Sequence, residues 1–184
     1  MQDAICLPRS LFSIDTVNHE RDYNMRCIRG DLFSYLGSPL VIPTNQGWTK
    51  AGMNVMGRGV AREAANRYPI LPELLGTYCM QRRFYAKVWP FVMPTDNQIL
   101  ICFPVKPLRP KAPQFSWNQP ASLSLIRKSV QQLAELVSSD IMPESAALSY
   151  IYLPLVGCGN GGLSRDAVLP ILEQLDNRFI LVEQ

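Results

Sequence analysis

Apolar and polar positions along this chain switch between a two-residue and a three-to-four-residue period, and the switches mark out its elements. Residues 25–33 (MRCIRGDLF) alternate and end in Gly30-Asp31, and residues 40–45 (LVIPTN) form a short apolar run closed by Pro43 and Asn45, so both predict strands. Residues 60–69 (VAREAANRYP) carry alanines and charges at helical spacing up to Pro69, where a helix stops. Residues 71–83 predict a second, short helix, followed by strands over 86–92 and 98–103 that the turn-forming Pro94-Thr95-Asp96-Asn97 joins as a hairpin. The stretch 104–120 holds five prolines and no period, which predicts an irregular surface loop. Residues 122–137 repeat apolar positions at helical steps; 149–156 read as a buried strand, 157–163 as a tight loop, 164–175 as a helix with Pro170 at its first turn or at a kink, and 178–183 as a terminal strand. Residues 1–24 have no clean period and are read as an N-terminal extension with one short strand over 11–14.

Strands alternating with helices predict a sheet covered on both faces, with ligands gathering beyond the carboxyl ends of the strands. The length of 184 residues and a hydrophobic fraction of 47% suit one domain, residues 25–184, behind the extension 1–24. A net charge of +3 with scattered Lys and Arg excludes a polybasic arm for nucleic acid or anionic lipid, yet suits a small anionic ligand. Five widely spaced cysteines, mostly in apolar runs, predict reduced thiols and a cytoplasmic protein. No Cys/His cluster points to a metal, and the single histidine, His19, reads as a surface or turn residue. No leader-like start and no apolar run near 18 residues long is found, so neither secretion nor a membrane span is expected.

Three loops each follow a predicted strand, over 42–59, 103–107 and 157–163, and should share one rim. In the first, Gly57-Arg58-Gly59-Val60 opens a helix, which either makes a plain strand-to-helix turn or turns backbone N–H groups and the helix dipole toward an anion. The third packs Gly157, Gly159, Gly161 and Gly162 into seven residues, a density suited to a nest of N–H donors around a phosphate. No Gly-Lys-Ser/Thr follows, and no acidic strand end stands where a dinucleotide fingerprint requires one. Cys158 has no histidine in these loops to activate it, so packing of a small side chain explains it better than nucleophilic chemistry.

In their order, IRGDLF, VIPTN, VMGRGVAREAANRYP, FPVK and PLVGCGNGGL resemble the macrodomain family over about residues 25–184, and within it the branch of bacterial DNA ADP-ribosyl glycohydrolase antitoxins. The resemblance implies a three-layer α/β/α fold with a central mixed sheet and a pocket for ADP-ribose or an ADP-ribosylated substrate. It implies that Asp31 accepts from the adenine amine, with the Leu32 N–H beside it, although Asp31 also suits a helix N-cap. Asn45 would contact the distal ribose, and Gly57, Arg58, Gly59 and Val60 would line the diphosphate. Gly157, Cys158, Gly159, Asn160, Gly161 and Gly162 would close over it. Lys106 is the implied catalytic residue, with Asn45 beside it, and would either attack the anomeric carbon or polarise the ribose and its leaving group.

The departures from the family are as specific as the matches. Relatives that remove ADP-ribose esters pair such a lysine with an acid in the last loop, where this chain has Gly161, and Asp166 falls in the following helix. The segment 46–54 (QGWTKAGMN) is longer than usual and brings Trp48 and Lys50 toward the distal-ribose end, either as substrate contacts or as a flap whose Trp packs on the domain. After Lys106 the His-Trp-Arg that often follows in the antitoxin branch is absent, so a nucleic-acid substrate does not carry over with the resemblance, and nucleic acid could enter only as a modified substrate. The function expected is ADP-ribosyl hydrolysis by a monomer without cofactor or metal, against a non-catalytic ADP-ribose reader or a phosphatase of ADP-ribose derivatives.

Overall fold

Six strands pair into one mixed sheet in the order β1-β6-β5-β2-β4-β3, where β1 is Arg26–Arg29, β2 Leu40–Asn45, β3 Trp89–Val92, β4 Ile99–Lys106, β5 Ile151–Pro154 and β6 Phe179–Glu183. This computed structural model describes residues 25–83, 86–143 and 149–183, so the strand expected over 11–14 and His19 lie outside the described residues. All pairs are parallel except β3 with β4. Five strands therefore deliver their carboxyl ends to the same edge.

The sheet is buried on both sides because successive side chains point to opposite faces. On β4, Ile99, Ile101, Phe103 and Val105 pack with α3 (Leu123–Val137) and α4 (Arg165–Leu172), whereas Leu100 and Cys102 pack with α1 (Gly59–Arg67) and α2 (Leu71–Arg82). Helices thus cover both faces, giving the three α/β/α layers. The helix α3 shows how sequence produces this packing. Ser122 caps it by accepting from Leu125 N, and Ile126, Val130, Leu133 and Val137 fall on one buried stripe. Each such side chain contributes about 1.5–3 kcal/mol when fully buried.

Several boundaries differ from the sequence expectation. The first strand stops at Arg29, because Asp31 Oδ1 accepts from Phe33 N at 3.0 Å and starts a 3-10 turn, Leu32–Tyr35, where strand alternation was expected. β3 starts at Trp89 rather than at 86; the Val88 N–H is satisfied by Gln132 Oε1 from α3 instead of by a strand. β4 runs three residues beyond its expected end, through Pro104 to Lys106. Its pairing with β3 ends at Trp89 and Cys102, so beyond that point the missing N–H of Pro104 forfeits no bond on that side. The Pro104 carbonyl accepts from Ser129 Oγ of α3 at 2.8 Å. The proline-rich stretch is not irregular throughout: it contains a 3-10 helix, Pro113–Asn118, anchored by the buried Ser116, whose Oγ accepts from Arg109 N at 2.9 Å. Pro170 lies past the first turn of α4, where it removes the N–H that would bond Asp166 C=O.

Candidate ligand-binding site

Beyond the carboxyl ends of the parallel strands lies a cavity of 1460 Å³. The end of β2 supplies its first wall. Asn45 is buried, and its amide is spent on the loop that follows: Oδ1 accepts from Gly47 N at 2.9 Å, Nδ2 donates to Val55 O at 2.9 Å, and both atoms pair with the Asn54 amide at 3.3 Å. Asn54, not singled out from the sequence, also donates to Gly47 O at 2.7 Å, and nothing but its place in a glycine-containing loop hinted at this. A Cβ at Gly76 of α2 would collide with Gly52 O, so the loop lies directly on that helix. Trp48 packs half-buried against the core between the sheet and α1/α2, Lys50 is exposed, and neither lines the cavity, which departs from their expected place near the distal ribose. The flap arrangement, with Trp48 packed on the domain, is the one the molecule adopts.

From this loop the chain enters α1 through Arg58 in an extended conformation and Gly59 at φ +56°. No side chain caps the helix, and the N–H groups of a first turn have no intrahelical partners. Gly57, Arg58, Gly59 and Val60 all line the cavity.

The end of β4 supplies Lys106, whose Nζ donates to Trp117 O and to Asn160 O, both at 2.9 Å. One ammonium therefore ties the 3-10 helix to the glycine loop. Burial lowers the Lys106 pKa below the usual lysine value, and the Arg58 charge lowers it further. The two carbonyls leave one of the three Nζ positions for a ligand, an N–H in the ammonium or a lone pair in the amine.

The glycine loop 157–162 lines the opposite side, and its shape explains the departure at Gly161. A Cβ there would collide with Gly157 O and stand 2.7 Å from Ala121 Cβ, while Ala121 N donates to Gly161 O at 3.0 Å. No acidic side chain fits at that point of the loop. Cys158 Sγ donates to Val156 O at 3.7 Å, and burial raises its pKa, so it remains a thiol.

The remaining wall comes from β1, β6 and the start of α4. Gly30 and the buried Leu32 line the cavity, but Asp31 between them is exposed, does not line it, and caps the 3-10 turn. Among the described residues, Arg29, Arg58, Lys106 and Arg165 give the walls four cations against a single carboxylate, Glu183, which is paired to Arg165 at 2.9 Å. The walls favour an anion. Trp117, Asn118 and Gln119 also line the cavity, and sequence reading missed them inside the proline-rich stretch. Among the described residues no group of three or more His, Cys, Asp or Glu side chains could hold a metal, and no helix is long and apolar enough to cross a membrane.

No protein-family model and no curated protein matches the sequence. Solved structures do. The macrodomain of Mycobacterium tuberculosis DarG aligns at a TM-score of 0.65 with 22% identity, covering 87% of this chain and 97% of that one. The chain has the macrodomain fold. The macrodomain of Thermus aquaticus DarG aligns at 0.64 with 21% identity, covering 88% of this chain and 98% of its own. Thermosipho africanus DarTG in complex with ADP-ribose aligns at 0.66 with 16% identity, covering 88% of this chain and 42% of that longer one. In this chain, the loops after β2, β4 and β5 meet at one cavity, the convergence expected from their positions after strands.

Proposed function

We propose that this macrodomain binds ADP-ribose and hydrolyses the bond joining its distal ribose to an acceptor, a nucleobase or a protein side chain. The observation that carries this reading is the meeting of an uncapped helix N-terminus, a glycine loop and Lys106 in one electropositive cavity. The complex of Thermosipho africanus DarTG with ADP-ribose supports the choice of ligand. A diphosphate suits the α1 N-terminus, where N–H groups and the helix dipole meet negative charge, with Arg58 adding a full positive charge. The volume of 1460 Å³ exceeds the roughly 300–1,000 Å³ of an ordinary small-molecule site, leaving room for a long two-ended ligand.

In the proposed reaction water attacks C1″ of the distal ribose, the bond from C1″ to the acceptor breaks, and its electron pair leaves with the acceptor, which takes a proton from Lys106, while the proton shed by the attacking water passes to solvent, from which the Lys106 amine is reprotonated. Lys106 acts as the charged donor to that leaving group, through the Nζ position that Trp117 O and Asn160 O leave unused. Asn45 acts through the loop: with its amide committed to Gly47, Asn54 and Val55, it positions the Gly57–Val60 turn rather than reaching the reacting atoms.

A second reading, an ADP-ribose reader without turnover, is favoured by one feature. Among the described residues the one carboxylate lining the cavity, Glu183, is paired to Arg165, and Gly161 has no room for another, so none of them offers a free carboxylate base to the water. Calorimetry with ADP-ribose, followed by turnover of ADP-ribosylated DNA, RNA and protein by wild type and Lys106→Ala, separates the readings. A hydrolase loses turnover on substitution and keeps its affinity; a reader turns over none of the substrates. Absence of any ADP-ribose binding rules out both.

A further inference from the structure

Thr44 is the residue of the cavity that the fold leaves unsatisfied. It is 4% exposed at the carboxyl end of β2, and its Oγ1 is a buried side-chain oxygen with no hydrogen-bond partner among the described residues. Such a group costs about 1–3 kcal/mol when buried unpaired, so its presence calls for a partner outside the fold. Its surroundings explain why none is found within. The β2–β4 ladder changes register between Thr44 and Asn45. Thr44 is aligned with Pro104, which has no N–H, and the Pro104 carbonyl is already occupied by Ser129 Oγ at 2.8 Å. The adjoining residue Asn45 spends its whole amide on the loop.

The residue nevertheless borders the cavity. Thr44 lines the cavity together with Val60 and Ala61 of the first turn of α1, and it follows Leu40 and Ile42 along the face of β2 that packs beneath that helix. Asn45, the next residue, is aligned with Lys106 on β4. Thr44 therefore stands at the sheet floor of the cavity, between the helix N-terminus and the lysine-bearing strand.

We propose that Thr44 is a ligand-positioning residue whose hydroxyl donates to an oxygen of the ligand at the cavity floor. The inference rests on the ADP-ribose reading above, in which that oxygen belongs to a phosphate or ribose of the bound molecule. Bulges recur beside active sites, where they re-aim side chains, and the extra residue here, Val105 of β4, falls next to the Thr44–Pro104 pair. A hydroxyl kept for a ligand lowers the stability of the free protein and raises that of the complex.

That opposition gives the test. Thr44→Val keeps the shape and removes the hydroxyl; Thr44→Ser keeps the hydroxyl. The free-protein Tm and the ADP-ribose Kd are measured for both variants and wild type. The expected result is a Tm for Thr44→Val equal to or above wild type, with affinity lower by about tenfold. Thr44→Ser should stay within about threefold of wild-type affinity. A fall in the Tm of free Thr44→Val overturns the proposal by assigning the hydroxyl a bond within the fold. Equal affinities of Thr44→Val and wild type also overturn it while leaving the ADP-ribose reading intact. Failure of wild type to bind ADP-ribose overturns that reading and this contact with it, and is distinguishable because it needs no variant.

Discussion

In the proposed reaction the chemistry rests on Lys106, whose pH behaviour follows from its surroundings. Burial and the Arg58 charge both favour the neutral amine, so the Lys106 pKa lies below that of a free lysine. If the ammonium is the donor, kcat/KM falls as pH rises through this lowered pKa, and replacing Arg58 with Gln moves the fall to higher pH by removing a repelling charge. A lone-pair nucleophile would give a rate that rises with pH instead. Lys106→Ala is expected to lower kcat by about 100-fold or more, as for loss of a general acid, with the ADP-ribose Kd changed only a few-fold. Tyr68 offers a stability test away from the site. Its pKa is raised to about 12 by burial, then by its 2.9 Å bond to Asp96. A raised folded-state pKa means that this contribution is complete below the unfolded value of 10.0 and is lost as pH rises from there toward 12. Urea unfolding should show Tyr68→Phe about 1 kcal/mol less stable at pH 7 and a smaller gap to wild type at pH 11.

At the scale of elements, two glycines of the cavity should behave oppositely. Gly161→Ala forces a Cβ into Gly157 O and against Ala121, so it should cost about 1–3 kcal/mol of stability and weaken ADP-ribose binding. Gly57→Ala meets nothing within 4 Å and should leave the melting temperature unchanged. Trp48 belongs with the packing of the long loop: Trp48→Ala should lower the Tm while changing ADP-ribose affinity little, because the indole lies on the core and not on the cavity. Elements whose hydrophobic pattern matched their burial were legible in the sequence. α3 and β2 begin and end where the periodicity put them, give or take one residue. β4 was not, because the tolerance of Pro104 depends on β3 having already left its side, a fact about a neighbouring strand.

For the whole molecule, the scattered basic residues gather at one place. Arg29 on β1, Arg58 before α1, Lys106 on β4 and Arg165 on α4 are far apart in sequence and line one cavity. Their attraction for a diphosphate is screened by salt, so the ADP-ribose Kd should weaken between about 0.05 and 0.5 M NaCl, while that of uncharged adenosine should change much less. Calorimetry across that range would show the difference, and equal salt dependence for the two ligands would contradict an electrostatic contribution from these cations. A net charge of +3 spread along the chain did not disclose such a focus.

The sequence by itself determined the succession of strands and helices, the two-sided sheet, and the three loops that follow strands, because these depend on periodicity and turn chemistry within a few residues of each position. The loop glycines were legible for the same reason. Tertiary structure alone decided which polar atoms remain for a ligand. Asn45 is consumed by Asn54, Gly47 and Val55, Lys106 shares itself between two carbonyls, Asp31 caps a turn, and Thr44 is left unbonded among the described residues. Each outcome depends on hydrogen-bond partners that the fold brings together, in the case of Lys106 from 11 and 54 positions away. No local pattern records such pairings.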